Sequence, residues 1–331
     1  MSRPRVLLLS SHEPRLRPDS DLSEVVRDLR GALGTLEGVE IAHREIAREE
    51  DVERVVGEAR PDVVFNACET LDGKTANESV VPRVLERLGL AFTGSSASCL
   101  ERCLRKAAST ERLRAAGVSV PETYEVASDL RPGAIPREIY PVIVKPERED
   151  GSIGIDGGSV AADEDALLAA VRRLERRGYP ALVQRYVEGR EVALALLGYP
   201  TPEVLSPGEI LYDETAFSGR AKVLTYASKW DPSSPDYGGT RSVGAELAGD
   251  LRARLEDQAR LAFAALGMRD YGRVDFRIDP AGRPFVIDLN PNCDLSSDGG
   301  FMRAVGRSGM TYAGAIGRIV RGALGRAGEA R

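Results

Sequence analysis

The sequence predicts a mixed α/β and α+β protein: a parallel α/β domain over residues 1–98, then two α+β domains over 99–187 and 188–331. Three observations predict it. Strand and helix signals alternate between Arg5 and Gly94, the pattern of a parallel sheet covered by helices. A β pattern restarts at Val118-Ser119-Val120-Pro121, after a helical stretch that ends at Gly117. Beyond the turn Glu188-Gly189-Arg190 the strand signals are closely spaced and antiparallel in character.

Arg5–Ser10 is a short β run. Leu22, Val25, Val26, Leu29 and Leu33 share one face of a helix over Asp21–Leu36. Val39–Ile46 alternates as a strand, Glu50–Ala59 is helical and Pro61–Asn66 is a strand. A helix over Asn77–Leu88 and a strand over Ala91–Gly94 follow, then one helix over Ser98–Ala116. Tyr140–Pro146 is a buried strand carrying Lys145 near its end. The polar, glycine-rich Glu147–Gly158 separates it from a helix over Asp163–Arg177 and a strand over Tyr179–Val187. In the last domain Glu191–Leu197, Gly208–Tyr212 and Lys222–Tyr226 read as strands. Lys229–Thr240, rich in Pro, Ser, Asp and Gly, reads as a long loop of the kind that serves as a lid. A helix over Gly244–Leu266 precedes the strands Gly272–Ile278 and Pro284–Leu289, joined by the turn Asp279–Gly282, and Phe301–Leu324 is helical.

Composition narrows the function classes. A net charge of -6 with interspersed signs argues against a nucleic-acid partner, which wants a basic surface. No apolar run approaches the roughly 20 residues that span a bilayer, so no membrane partner is expected. Val6–Leu9 is too short for a signal-peptide core, and a cytoplasmic location is expected. Cys68, Cys99, Cys103 and Cys293 form no CxxC pair or metal pattern and read as buried thiols. His12 and His43 are the only histidines, which moves the search for chemistry to carboxylates, lysines and backbone amides. Gly73-Lys74-Thr75 fails as a Walker loop because Cys68 stands where its first glycine belongs. Gly151-Ser152-Ile153-Gly154 lacks the spacing of a dinucleotide fingerprint, which counts against an oxidoreductase.

The strongest segment is the hairpin. Arg273 and Asp275 share one face of its first strand, and Asp288 and Asn290 share one face of its second, because the side-chain period is two. Two carboxylates, an amide oxygen and a guanidinium therefore converge among Val, Phe and Ile. Unpaired carboxylates in such a place are costly, and a hard divalent cation removes the cost.

With this constellation the chain resembles the ATP-grasp superfamily, and within it the D-alanine–D-alanine ligases, from about Asp62 to Leu324. The resemblance implies an ATP-grasp fold and a carboxylate–amine ligase working through an acyl phosphate. It implies ATP and two Mg²⁺ ions, with Mn²⁺ able to stand in, held by Asp275, Asp288 and Asn290. Asp288 stands where glutamate is usual. Arg273 would stabilise the oxyanion, with Lys229 and Ser152 as the other catalytic groups. Lys106, Lys145 and the loop Gly151, Ser152, Ile153 and Gly154 would bind phosphates; Gln184, Arg185, Tyr186 and Val187 adenine; Glu191 ribose. Small-molecule carboxylate and amine substrates, and a homodimer, are implied as well.

Departures from the dipeptide ligases cluster in the substrate pocket. Gly151 replaces the first of two loop serines, Trp230 a tyrosine, and Gly299 a serine. Glu13, Glu69, Glu78, Trp230, Asp294 and Asp298 are the candidate substrate residues, and a pair of substrates other than two D-alanines is expected. For Asp294 and Asp298, capping of the following helix is the competing role. The rival functions are ligation to a carrier protein or peptide terminus, and an ATP-binding regulator without catalysis.

Overall fold

The computed structural model describes residues 3–11, 23–126 and 130–329. The N-terminal sheet has β1 (Arg5–Ser11) between β2 (Glu40–Ile46) and β3 (Val63–Asn66), all parallel. Helices α1 (Ser23–Gly34), α2 (Glu49–Ala59) and α3 (Val80–Arg87) cover it. The predicted strand at Ala91–Gly94 shrinks to one parallel bridge, Phe92 to Val64. Gly94 turns away at φ 86°, and its N–H donates to Asp270 instead of the sheet (2.8 Å).

The helix predicted over Ser98–Ala116 is two, α4 (Ala97–Leu104) and α5 (Lys106–Ala115), broken at Arg105. The break lets the Lys106 amide donate to the Glu147 carbonyl. A four-stranded antiparallel sheet follows in the order β4 (Thr123–Val126), β7 (Ala181–Arg185), β5 (Val142–Pro146), β6 (Val160–Ala161), backed by α6 (Glu164–Arg176). The β pattern at Val118–Pro121 thus starts a strand only at Thr123.

The third sheet runs β11 (Thr240–Gly244), β10 (Gly208–Tyr212), β8 (Arg190–Leu197), β12 (Tyr271–Ile278), β13 (Pro284–Asn290), with β9 (Glu203–Val204) beside β8. Lys222–Tyr226 is not a strand. Thr225 accepts from the Ser228 amide in a capping box and starts α7 (Tyr226–Trp230), which with α8 (Pro235–Gly238) structures the predicted lid loop. Thr240–Gly244 joins the sheet as β11, so α9 begins only at Gly249 and runs to Leu266. The last predicted helix also breaks. Gly309, at φ 79°, separates α10 (Gly300–Arg307) from α11 (Tyr312–Glu329).

Packing crosses the sequence order. Phe301, Ile316 and Val320, from α10 and α11, share a core with Val6, Leu8 and Phe65 of the N-terminal sheet. Cys99, Cys103 and Leu113, from α4 and α5, share one with α9 and with Val274 and Phe276 of β12. All four cysteines are buried.

Candidate active site

Alternation along β12 sends Val274, Phe276 and Ile278 into the α9 core and leaves Arg273, Asp275 and Arg277 on the opposite face. The register completes what the sequence suggested: Arg273 pairs with Asn290 and Asp275 with Asp288 across β13. On the other side β8 places Ala195 opposite Arg273 and Ala193 opposite Asp275. These small residues leave space above the charged strip. Arg273 grips Asp275 with two hydrogen bonds, Nε to Oδ1 at 2.7 Å and Nη2 to Oδ2 at 2.9 Å. This pairing holds the guanidinium pKa above its ordinary value.

Two lysines from the central sheet and α5 reach this strip. Lys145 Nζ donates to the Ile287 carbonyl on β13 at 3.0 Å. Burial pushes its pKa down, Asp288 pulls it up and Lys106 pushes it down, leaving it at about 8. Lys106 Nζ donates to the Glu149 carbonyl at 2.7 Å and Asp150 Oδ1 at 3.1 Å, and lies 3.8 Å from Asp288 Oδ1. Burial works against its charge, but Asp150 and Asp288 outweigh it and the pKa is raised. For Asp288, burial opposes ionisation, yet Lys106, Lys145 and Arg273 hold its pKa below the usual carboxylate value.

The glycine-rich loop follows β5. Gly151, Ser152 and Gly154 have φ of 63°, 64° and 77°, left-handed backbone that is strained at the serine. A Cβ on Gly154 would meet Pro146 Cγ at 2.6 Å. Trp230 Nε1 lies 3.4 Å from the Gly151 carbonyl, so α7 touches the loop. Lys229, on the same turn, has its pKa lowered by burial and then by the charge of Arg273, with Asp275 opposing.

At the other end of the cleft, Gln184 is buried and donates to Thr123 Oγ1 at 2.9 Å. The Arg185 amide donates to the Glu122 carbonyl and the Tyr186 amide to the Pro141 carbonyl. Val187 is buried beyond them. Glu191, on β8, accepts from the Tyr212 hydroxyl at 2.7 Å.

The candidate substrate residues divide. Glu78 Oε1 accepts from Asn292 Nδ2 at 2.8 Å, and burial, then Asp150 and Glu69, push its pKa well up. Glu69 shares this acidic neighbourhood. Asp294 accepts from the Ser296 amide and hydroxyl in its own turn. Asp298 is exposed. The N-cap of α10 is Gly299, with no side-chain cap, so neither aspartate caps that helix. Glu13 lies outside the described residues.

Sequence reading missed Arg277, Tyr212 and Asn292. The alternation Arg273, Asp275 pointed to Arg277. Asn292 accepts from the Tyr271 hydroxyl at 2.7 Å and donates to Glu78 and the Cys68 carbonyl, tying the end of β13 to the segment after β3.

Among the described residues no three His, Cys, Asp or Glu side chains gather into a metal cage. Two carboxylates and an amide oxygen suit Mg²⁺, which takes its remaining ligands from phosphates and water. The Asp275 oxygens each keep a lone pair beyond the Arg273 bonds.

Fold and cleft together define an ATP-grasp protein. The family model described as D-ala D-ala ligase C-terminus matches residues 121–321, and the chain belongs to that family. An uncharacterized protein, y4sG, of Sinorhizobium fredii is 31% identical over 265 residues, 78% of this chain and 73% of that protein. A D-alanine–D-alanine ligase of Desulforudis audaxviator is 28% identical over 301 residues, 89% of this chain and 92% of that one. In fold the chain is similar to a D-alanine–D-alanine ligase from Bacillus anthracis complexed with ATP, at a TM-score of 0.77 and 19% identity, over 98% of this chain and 99% of that one.

Proposed function

We propose that the cleft between the β5 loop and the face of β8, β12 and β13 takes ATP with magnesium and spends its γ-phosphoryl group on joining a carboxylate to an amine. The chain is a carboxylate–amine ligase of the D-alanine–D-alanine ligase type. The single observation carrying the site assignment is the register that sets Asp275 opposite Asp288 and Arg273 opposite Asn290.

Magnesium, or manganese in its place, would be held by Asp275, Asp288 and Asn290 and would neutralise the triphosphate. Lys106 and Lys145 add positive charge from the opposite wall. The amides of Gly151, Ser152 and Gly154, and the Ser152 hydroxyl, cover the phosphates, while the Ile153 amide donates to the Asp150 carbonyl and holds the turn. Gln184 to Val187 take adenine and Glu191 takes ribose. A carboxylate oxygen of the acid substrate attacks the γ-phosphorus and ADP leaves, giving an acyl phosphate. The amine nitrogen then attacks the acyl carbon. Arg273 stabilises the oxyanion and Lys229 the departing phosphate.

We assign substrates other than two D-alanines. A Cβ on Gly299 would meet Asp294 Oδ2 at 2.7 Å and Ser296 Oγ at 2.8 Å, so a serine there would displace those two side chains from their present turn. Asp294 and Asp298 are the candidate partners of an ammonium group, and Glu69 and Glu78 line the side nearer the N-terminal sheet. The reading also takes the three-domain division at 98/99 and 187/188, a cytoplasmic location and a homodimer as proposals. Among the described residues no helix is long and apolar enough to cross a membrane.

Magnesium-dependent ADP release, measured across a panel of free carboxylate and amine substrates, tests the reading. Turnover with a free amino-acid pair is expected. Best turnover with D-alanine would overturn the substrate assignment, and ADP release only with a carrier protein would favour that rival.

A further inference from the structure

The β12 face carries a third charged side chain that the ligase reading leaves unused. Arg277 lies two residues past Asp275, pairs with Glu191 across β8 and is only 4% exposed. Its Nη2 lies 3.1 Å from Glu191 Oε2, the same oxygen that accepts from Tyr212. Its Nη1 donates to the Gly189 carbonyl at 3.0 Å, in the turn between the two ATP-grasp subdomains. Its Nη2 also donates to the Lys222 carbonyl, which accepts from the Tyr186 hydroxyl at 3.0 Å. The guanidinium carbon stands 5.3 Å from the Tyr186 ring centre and 5.9 Å from that of Tyr212.

A buried guanidinium persists only when its charge is paired and its donors are satisfied. Here that requirement draws in the interdomain turn, the segment leading to α7 and Glu191. The Tyr212 hydroxyl donates to one Glu191 oxygen and the Arg277 guanidinium pairs with that same oxygen, while Oε1 accepts no hydrogen bond among the described residues. A carboxylate held by one oxygen, with the other open, is prepared to accept from a neutral hydroxyl.

We propose that Arg277 is a positioning residue which, with Tyr212, aims Glu191 at the sugar of the nucleotide and so makes the site discriminate ribose from deoxyribose. The inference rests on the nucleotide reading of the cleft, and one set of titrations separates the two.

The intact protein is titrated calorimetrically with Mg·ADP, Mg·2′-deoxyADP and Mg·3′-deoxyADP. Wild type should prefer ADP over the poorer deoxy analogue by about tenfold, the worth of one hydrogen bond to a charged group. Arg277→Met keeps the side-chain length and removes every donor. It should weaken ADP about tenfold and bring the preference to within about twofold. Tyr212→Phe removes one donor without unpairing a buried charge, and should shrink the preference in the same direction even if the methionine variant does not fold. A merely structural role would weaken all three nucleotides alike; an unchanged ratio in both variants overturns the proposal. Absence of Mg·ADP binding by wild type overturns the nucleotide reading and this inference together.

Discussion

β1 and β12 are strands of seven and eight residues, and both sit inside their sheets. Along β1, Val6 and Leu8 enter one core and Leu7 and Leu9 another, so both faces are apolar. Along β12, one face is Val274, Phe276 and Ile278 while the other is Arg273, Asp275 and Arg277. The first strand is all scaffold. The second divides its labour, with burial on one side securing a charged strip on the other. Stability and chemistry should therefore separate by strand and by face.

The largest effect that could break this contrast lies on the charged face. Asn290→Ala and Asp275→Asn should each lower ADP release by about 10³-fold or more, because positioned charge carries phosphoryl transfer. Asn290→Ala should leave the melting temperature within about 4 °C of wild type. A melting transition lowered in step with activity would erase the distinction.

The converse substitution is Leu8→Ala. It should cost about 3 kcal/mol, read as a lower urea midpoint, while turnover per folded molecule stays unchanged. Asn292→Ala sharpens the contrast at the junction of the two regions. It leaves Glu78 and the Tyr271 hydroxyl without their partner, and should raise KM for one of the two joined substrates about tenfold with KM for ATP unmoved. Steady-state kinetics with the best substrate pair from the panel checks this.

The smallest effect is a pH dependence. Lys145 has a pKa of about 8 in the free protein. As pH rises through 8 the lysine loses its charge, and affinity for Mg·ADP should fall by at most about tenfold per unit. Its folded pKa lies below the unfolded value of 10.5, so the unfolded chain binds the extra proton between the two. Its contribution to stability therefore rises over that window, opposite to the affinity. Lys145→Arg should flatten the affinity profile in calorimetric titrations between pH 7 and 9.5.

Much of this was legible in the sequence, for reasons of period. Alternation fixes which side chains share a strand face, so the hairpin and its Arg273, Asp275, Asp288 and Asn290 could be read directly. The apolar run Val6–Leu9 read as a short strand, and the fold buries it on both faces. What could not be read depends on contacts distant in sequence. The break at Arg105 answers to the Glu147 carbonyl, and the turn at Gly94 to Asp270. The return of α10 and α11 to the N-terminal sheet has no local signal. Asn292 and Tyr212 take their partners, Glu78 and Glu191, from distant parts of the chain, and the ion pair of Arg277 with Glu191 likewise has no local signal.

The central claim is that β12 and β13 hold the metal–nucleotide complex. A crystal structure with Mg²⁺ and a non-hydrolysable ATP analogue tests it most directly. Oxygen atoms of Asp275, Asp288 and Asn290 should lie about 2.1 Å from bound magnesium, with the phosphates beneath Gly151–Gly154. Nucleotide bound elsewhere, or magnesium that none of these three side chains touches, would contradict it.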